Sequence, residues 1–221
     1  PTERSLEVAA FSELYKKHQE TFANLSRAKA DIAILVSSDS FIYKMLFQAD
    51  HPNLPRHADD ANDALFGCFR ALEAANLACE FVSEEQLEDG ILKNYKVLYL
   101  PGIELISEKT AAHIKNFVHQ GGRVYADGRS AYLDEYMYLR KEVPGHDLCS
   151  LFGGQEADFI AMQERVHLHS ESGICARGMK MKQVLTPRDN AKASAFFADG
   201  SVAVVDENHG KGRSRLVGAQ L

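Results

Sequence analysis

The chain has no tryptophan, only six prolines in 221 residues, and no excess of positive charge. Each shortage excludes something. Without tryptophan, the stacking platform most used by carbohydrate-binding surfaces is missing. Its net charge of −6 and isoelectric point near 5.9 argue against nucleic acid or an anionic membrane as the main partner. No apolar run reaches the length of a membrane span, and the opening residues do not read as a charged-then-apolar leader. Cys68, Cys79, Cys149 and Cys175 lie far apart with no C-x-x-C pair, so neither a disulfide framework nor a zinc knuckle is expected. Four thiols without a pattern fit a cytoplasmic chain. What remains is ordinary: 45% apolar and 25% charged residues, enough to bury a core in one large domain or one domain with an appendage. The chain opens on Pro1 inside a helical pattern and closes on the strand-like run from Arg215 to Leu221, so an excised piece of a longer polypeptide is expected.

The stretch from Lys93 to Ala131 reads as strand, turn, helix, turn, strand. Residues 96–100 are rich in β-formers and stop at Pro101-Gly102. Ser107 is placed to cap the helix, Glu108 favours its positive end and Ile106 offers an apolar staple. Ile114, Phe117 and Val118 recur at helical spacing before Gly121-Gly122 ends the helix. Residues 123–127 then resume the strand pattern. Two parallel strands joined by a crossover helix make a βαβ unit and predict an α/β domain with a buried parallel sheet.

Around this unit, residues 3–28 predict one amphipathic helix, with Phe11, Leu14, His18, Phe22 and Leu25 on one side. It either packs on a neighbouring domain or subunit or covers its own sheet. Residues 31–37 are a near-continuous apolar run, the pattern of a strand buried on both faces. Ser38-Asp39-Ser40 follows, where α/β proteins place ligand-binding loops. Residues 41–57 read as a long irregular segment with Pro52 and Pro55, of the kind that binds or makes interfaces. Residues 58–76 predict a second helix with Cys68 in its apolar stripe, and 79–82 a short strand. From Ile160 the pattern changes to short strands at 165–169, 194–197, 202–205 and 215–217, with Asp199-Gly200 as a hairpin signal. These are expected to add antiparallel strands at one edge of the sheet.

Chemistry is hard to find. Cys68 reads as a small core residue rather than a nucleophile. His167 and His169 alternate on one side of a strand, a spacing metal sites use, but no third ligand is evident. Gly128-Arg129-Ser130-Ala131 invites comparison with the G-x-S-x-G elbow, except that Tyr132 would crowd the turn. His209 to Arg215 is glycine-rich and basic but lacks phosphate-loop spacing, so it reads as a hairpin turn. The pairs Asp134-Glu135 and Glu84-Glu85 read as solvated faces, since adjacency alone gives no glycosidase geometry.

The succession YKVLYLPGIELIS, HIKNFVHQGGRVYADGRSAYLDE and VPGHDLCSLFG resembles the middle, trimerisation domain of family 42 glycoside hydrolases, the bacterial β-galactosidases. The matching positions are Pro101, Gly121-Gly122, Asp134-Glu135, Pro144-Gly145 and residues 148–153. DIAILVSSDS resembles the family's first strand, ALFGCFRALEAANLACEFV its first helix and second strand, and the closing residues its last strands. Phe41-Ile-Tyr43 stands where such enzymes often carry a tryptophan. The resemblance implies a flavodoxin-like three-layer sandwich with a mostly parallel sheet, a β-rich C-terminal part and an N-terminal helix. It divides the chain into a linker helix, 1–30, and a domain, 31–221, related to class I glutamine amidotransferases. Those enzymes carry a nucleophilic cysteine after the strand that is here 123–127. Asp127-Gly128-Arg129 stands there instead, so that chemistry is expected to be absent.

The resulting expectation is a non-catalytic oligomerisation domain, a homotrimer in its parent, with no catalytic residue, metal or cofactor. Galactosides would be handled only by a TIM barrel outside these residues. A different class of reading is a stand-alone amidotransferase-like module binding a small ligand in a crevice near Asp39, Gly102, Asp127 and Arg129. A third is a hydrolase using Ser130 or Asp127.

Overall fold

The apolar run IAILV becomes strand β1 (Ile32–Val36), in which Ala33, Ile34 and Leu35 are wholly buried. A computed structural model describes residues 2–220 except 27, 51–56, 163, 180 and 190. Before β1 lie α1 (Glu3–Lys17) and α2 (Gln19–Ala23). After it come α3 (Ser38–Asp50), α4 (His57–Ala74), β2 (Cys79–Ser83), α5 (Glu84–Glu88), β3 (Val97–Leu100), α6 (Glu108–His119) and β4 (Arg123–Asp127). The rest comprises α7 (Leu148–Phe152), β5 (Gly154–Ala161), β6 (Val166–Ser170), β7 (Gly173–Gly178), β8 (Met181–Pro187), β9 (Lys192–Phe196), β10 (Val202–His209) and β11 (Gly212–Val217).

Among the described residues one nine-stranded sheet runs β2-β1-β3-β4-β11-β10-β9-β6-β7, and β5 pairs with β8 separately. The first five strands are parallel and the remaining pairings antiparallel. Alternation along each strand sends side chains to opposite faces. On one face Leu35, Leu98, Val124 and Leu216 meet Ile114, Phe117 and Val118 of α6 and Leu151 and Phe152 of α7. On the other, Ile32, Ile34 and Tyr99 meet Leu65, Phe69 and Leu72 of α4. Helices on both faces of the parallel half give the three-layer α/β sandwich. The antiparallel half has its own core, with Val166, Leu168, Phe197 and Val204.

The central unit forms as its sequence implies. The Ser107 hydroxyl accepts from the Thr110 amide at 3.1 Å, and Gly121 ends α6 at φ 105°. Close backbone approach then joins β11 to this unit. A Cβ added to Gly212 would lie 1.9 Å from the Val118 carbonyl, so the start of β11 fits beneath the end of α6 only as glycine. The Asp199-Gly200 turn joins β9 to β10, with Gly200 at φ 85° and the Phe197 amide donating to the Ser201 carbonyl at 2.8 Å.

Three expectations need correction. Residues 3–28 are not one helix: α1 closes at His18 and a short α2 follows, with no buried residue in either. Residues 41–50 are not irregular. The Ser37 hydroxyl accepts from the Ser40 amide at 3.0 Å and the Ser37 carbonyl from the Phe41 amide at 3.2 Å, starting α3 where a loop was expected. Pro52 and Pro55 lie outside the described residues. Nor are all late strands antiparallel edge additions, because β11 inserts beside β4 in parallel register, Ser214 opposite Val124. Strands β5, β7 and β8 had no clear sequence signal.

Candidate functional site

Gly102 and Asp127 end adjacent parallel strands, and the Gly102 amide donates to Asp127 Oδ1 at 2.6 Å. Gly102 sits at φ 57°, a conformation glycine adopts without strain. Beside them a cavity of about 220 Å³ opens between α4 and the sheet, lined by Cys68, Tyr99, Tyr125, Asp127 and Val217. Burial, then the charge of Asp127, pushes the Cys68 thiol up to about 12. It is a protonated, inert thiol at neutral pH. Ser130 is buried and its hydroxyl donates to the Asp127 carbonyl at 2.8 Å, so it is not presented as an elbow nucleophile.

The other two crevice residues make no hydrogen bond to this pair among those seen. Asp39 is exposed in the first turn of α3. Arg129 turns to Glu156, donating from Nε and one terminal nitrogen at 2.8 Å each. Its guanidinium lies between the rings of Tyr132 and Phe159, 4.4 and 4.2 Å from their centroids. The geometry therefore bonds Gly102 to Asp127 and pairs Arg129 with Glu156, while Asp39 stands on the exposed first turn of α3, whose Ser38 and Ser40 line a further cavity with Gly102.

A second cavity, about 190 Å³, lies on the Arg129 side and was not anticipated. Lys44 of α3 has a side chain only 4% exposed; its Nζ lies 3.4 Å from Glu104 Oε1 and donates to the Gly102 carbonyl at 3.2 Å. The Tyr132 hydroxyl donates to Glu104 Oε2 at 3.2 Å and lies 3.5 Å from that of Tyr43. Burial, then the Glu104 charge, raises the Tyr132 phenol far above its ordinary range, so it stays a donor. Lys44 in the apolar run IYKMLF was the available clue, legible only if that run is a helix.

Exposed apolar side chains occur on α1, as at Leu6, Val8, Phe11 and Leu14, and among the described residues two further apolar features share one rim of the sheet. On α3, Phe41, Ile42, Met45 and Leu46 are 39–52% exposed. After β4, Tyr136, Tyr138 and Leu139 are 75%, 71% and 65% exposed, on a turn held firmly by its own backbone. Asp134 Oδ1 accepts from the Tyr136 and Tyr138 amides at 2.9 Å each, and the Asp134 amide donates to the Tyr138 carbonyl at 3.0 Å. Leu133 bridges Leu139 on one side and Leu105 on the other, while the Ser40 hydroxyl accepts from the Leu105 amide at 3.0 Å. The turn and α3 are thus tied to the same rim of the sheet.

Among the described residues no group of three His, Cys, Asp or Glu side chains is placed to hold a metal. His167 and His169 lie on β6, where the β7 pairing shifts register between Leu168 and His169. Among the described residues no helix is long and apolar enough to cross a membrane.

Comparison with solved structures finds this architecture in larger proteins. Gan42B, a GH42 β-galactosidase from G. stearothermophilus, superposes over 98% of this chain and 31% of its own, with a TM-score of 0.80 and 21% identity. The β-galactosidase from Bacillus circulans sp. alkalophilus matches 94% of this chain and 31% of its own, with a TM-score of 0.80 and 19% identity. A polyextremophilic β-galactosidase from the Antarctic haloarchaeon Halorubrum lacusprofundi matches 91% and 30%, at 0.71 and 21% identity. The chain thus spans about a third of the length of the structures it resembles, and at these identities the likeness establishes the fold. Residues 30–221 match a family model described as the β-galactosidase trimerisation domain. By that match over most of its length, the chain belongs to the β-galactosidase trimerisation domain family.

Proposed function

We propose that this chain holds copies of a larger β-galactosidase-like protein together in a ring of three. The parent would hydrolyse terminal β-galactosides on a TIM barrel outside these residues, leaving this chain without a catalytic role. Residues 1–30 would serve as a linking helix and 31–221 as the assembling domain. Four thiols with no disulfide among them suit a cytoplasmic setting.

The observation that carries the reading is the pair of exposed apolar features on one rim: the α3 face with Ile42, Met45 and Leu46, and the backbone-bonded turn with Tyr136, Tyr138 and Leu139. A closed ring of three uses a heterologous contact, which needs two different complementary patches on each copy. Tyrosines on a preformed turn suit this role, because the ordering cost of association is met before the partner arrives. Sedimentation equilibrium of the chain tests the proposal. A trimer at micromolar concentration is the expected result; a monomer across the accessible concentration range would overturn it.

A further inference from the structure

We propose that the cavity bounded by Tyr43, Lys44, Glu104 and Tyr132 is a binding site for a neutral, polyhydroxylated molecule the size of one six-membered ring. Segments far apart in sequence converge there: α3, the loop after β3, the loop after β4, β5, and the residues after β11. Several of them follow the carboxyl ends of parallel strands, where open α/β sheets place ligands. At about 190 Å³ the space accommodates a single ring rather than a nucleotide or a peptide.

The lining defines the chemistry. Tyr43, Phe47 and Phe159 supply ring surface, and Lys44, Glu104 and Tyr132 supply hydrogen-bonding groups at the wall. Each cation at the site already has a carboxylate: Glu104 beside Lys44, and Glu156 beside Arg129. An ionic ligand would have to break one of these desolvated pairs, leaving a buried charge without its partner. A hydroxyl is both donor and acceptor and inserts among such groups without changing the charge balance. Burying a lysine–glutamate pair is itself costly against an apolar pair of similar volume, and that cost is explained if the wall has to meet a polar ligand.

Isothermal titration of the chain tests this with galactose, glucose and myo-inositol as neutral probes, and galacturonate and glucosamine as charged ones. Two variants accompany it. Ala161→Phe adds a ring at an exposed lining position and plugs the cavity, and Tyr132→Phe removes one hydroxyl. The expected result is saturable binding of at least one neutral probe with Kd of about 1 mM. A matching rise in melting temperature of about 5 °C at roughly hundredfold excess over Kd is expected too. Binding should vanish in Ala161→Phe, which melts like the parent without ligand, and weaken several-fold in Tyr132→Phe, which melts about 3 °C lower because Glu104 loses a donor. Absence of saturable binding by all three neutral probes would overturn the proposal. So would tighter binding of the charged probes, or binding unaffected by the plug. Assembly is read separately by sedimentation, so either proposal can fail alone.

Discussion

The Gly102 amide donates to the Asp127 carboxylate at 2.6 Å, tying the carboxyl end of β3 to that of β4. The same glycine accepts the Lys44 ammonium on its carbonyl, so one residue links α3, β3 and β4. The carboxylate that closes β4 is thus engaged in a structural bond.

That bond is charge-assisted and half-buried. Replacing Asp127 with Ala is expected to cost about 2 kcal/mol of stability, and with Asn about half as much, since an amide oxygen still accepts. Urea unfolding measures both. Equal loss in the two variants would show that the charge, rather than the acceptor, matters.

Gly212→Ala should destabilise by about 3 kcal/mol, at the upper end of overpacking costs, because its Cβ would meet the Val118 carbonyl at 1.9 Å. Gly210→Ala in the neighbouring turn meets nothing within 4 Å but holds φ 66°, so it should cost only about 1 kcal/mol. Thermal melts of the two variants separate backbone crowding from backbone strain.

Assembly should respond to surface changes that leave the fold alone. Tyr136→Ser with Tyr138→Ser, or Ile42→Glu, removes exposed side chains and should change monomer stability by less than about 0.5 kcal/mol. Each is expected to shift the trimer toward monomer by at least tenfold in association constant, about 1.4 kcal/mol. Light scattering over a dilution series provides the measurement. Unchanged mass in both variants would move the interface elsewhere.

Acid should weaken the fold partly through Asp206. Burial opposes its charge, but hydrogen bonds from Arg215 and Ser194 prevail and hold its carboxyl below the usual range. Arg215 donates twice, at 2.7 and 3.0 Å. A carboxyl depressed in the folded state contributes stability that is complete above its unfolded value, about 3.9, and lost as pH falls through the folded one. Glu84 has the opposite sign: burial, only partly offset by a hydrogen bond with Ser37, raises it, so its contribution fades as pH rises. Melting temperature against pH should therefore fall less steeply in acid for Asp206→Asn than for the parent. Glu84→Gln should gain relative to the parent toward neutrality. Parallel curves for all three would contradict both assignments.

The cysteines should differ in reactivity. Cys175 is exposed, whereas burial pushes Cys68 to about 12 and Cys149 to about 11. Alkylation of the folded chain at mildly alkaline pH, read by mass spectrometry, should label Cys175 first and spare Cys68 and Cys149 until denaturant is added.

Sequence alone was enough for the elements whose signals are local. The βαβ unit from β3 to β4 was legible because Ser107 caps, Gly121 terminates and Ile114, Phe117 and Val118 keep helical spacing. Helix α4 and the β9–β10 turn were readable for the same reason. The ordered motifs around Pro101, Gly121-Gly122 and Pro144-Gly145 were also enough to indicate the family. Tertiary structure decided the remainder. The serines that start α3 favour loops and caps alike, so only the Ser37 hydrogen bonds distinguish them. The insertion of β11 beside β4 depends on a glycine fitting under Val118, a contact between residues about ninety positions apart. The pairing of Lys44 with Glu104, and of Arg129 with Glu156, likewise depends on which strand ends meet. Local propensity carries no information about which distant charges will share a wall, because burial and pairing energies arise only once the chain has closed.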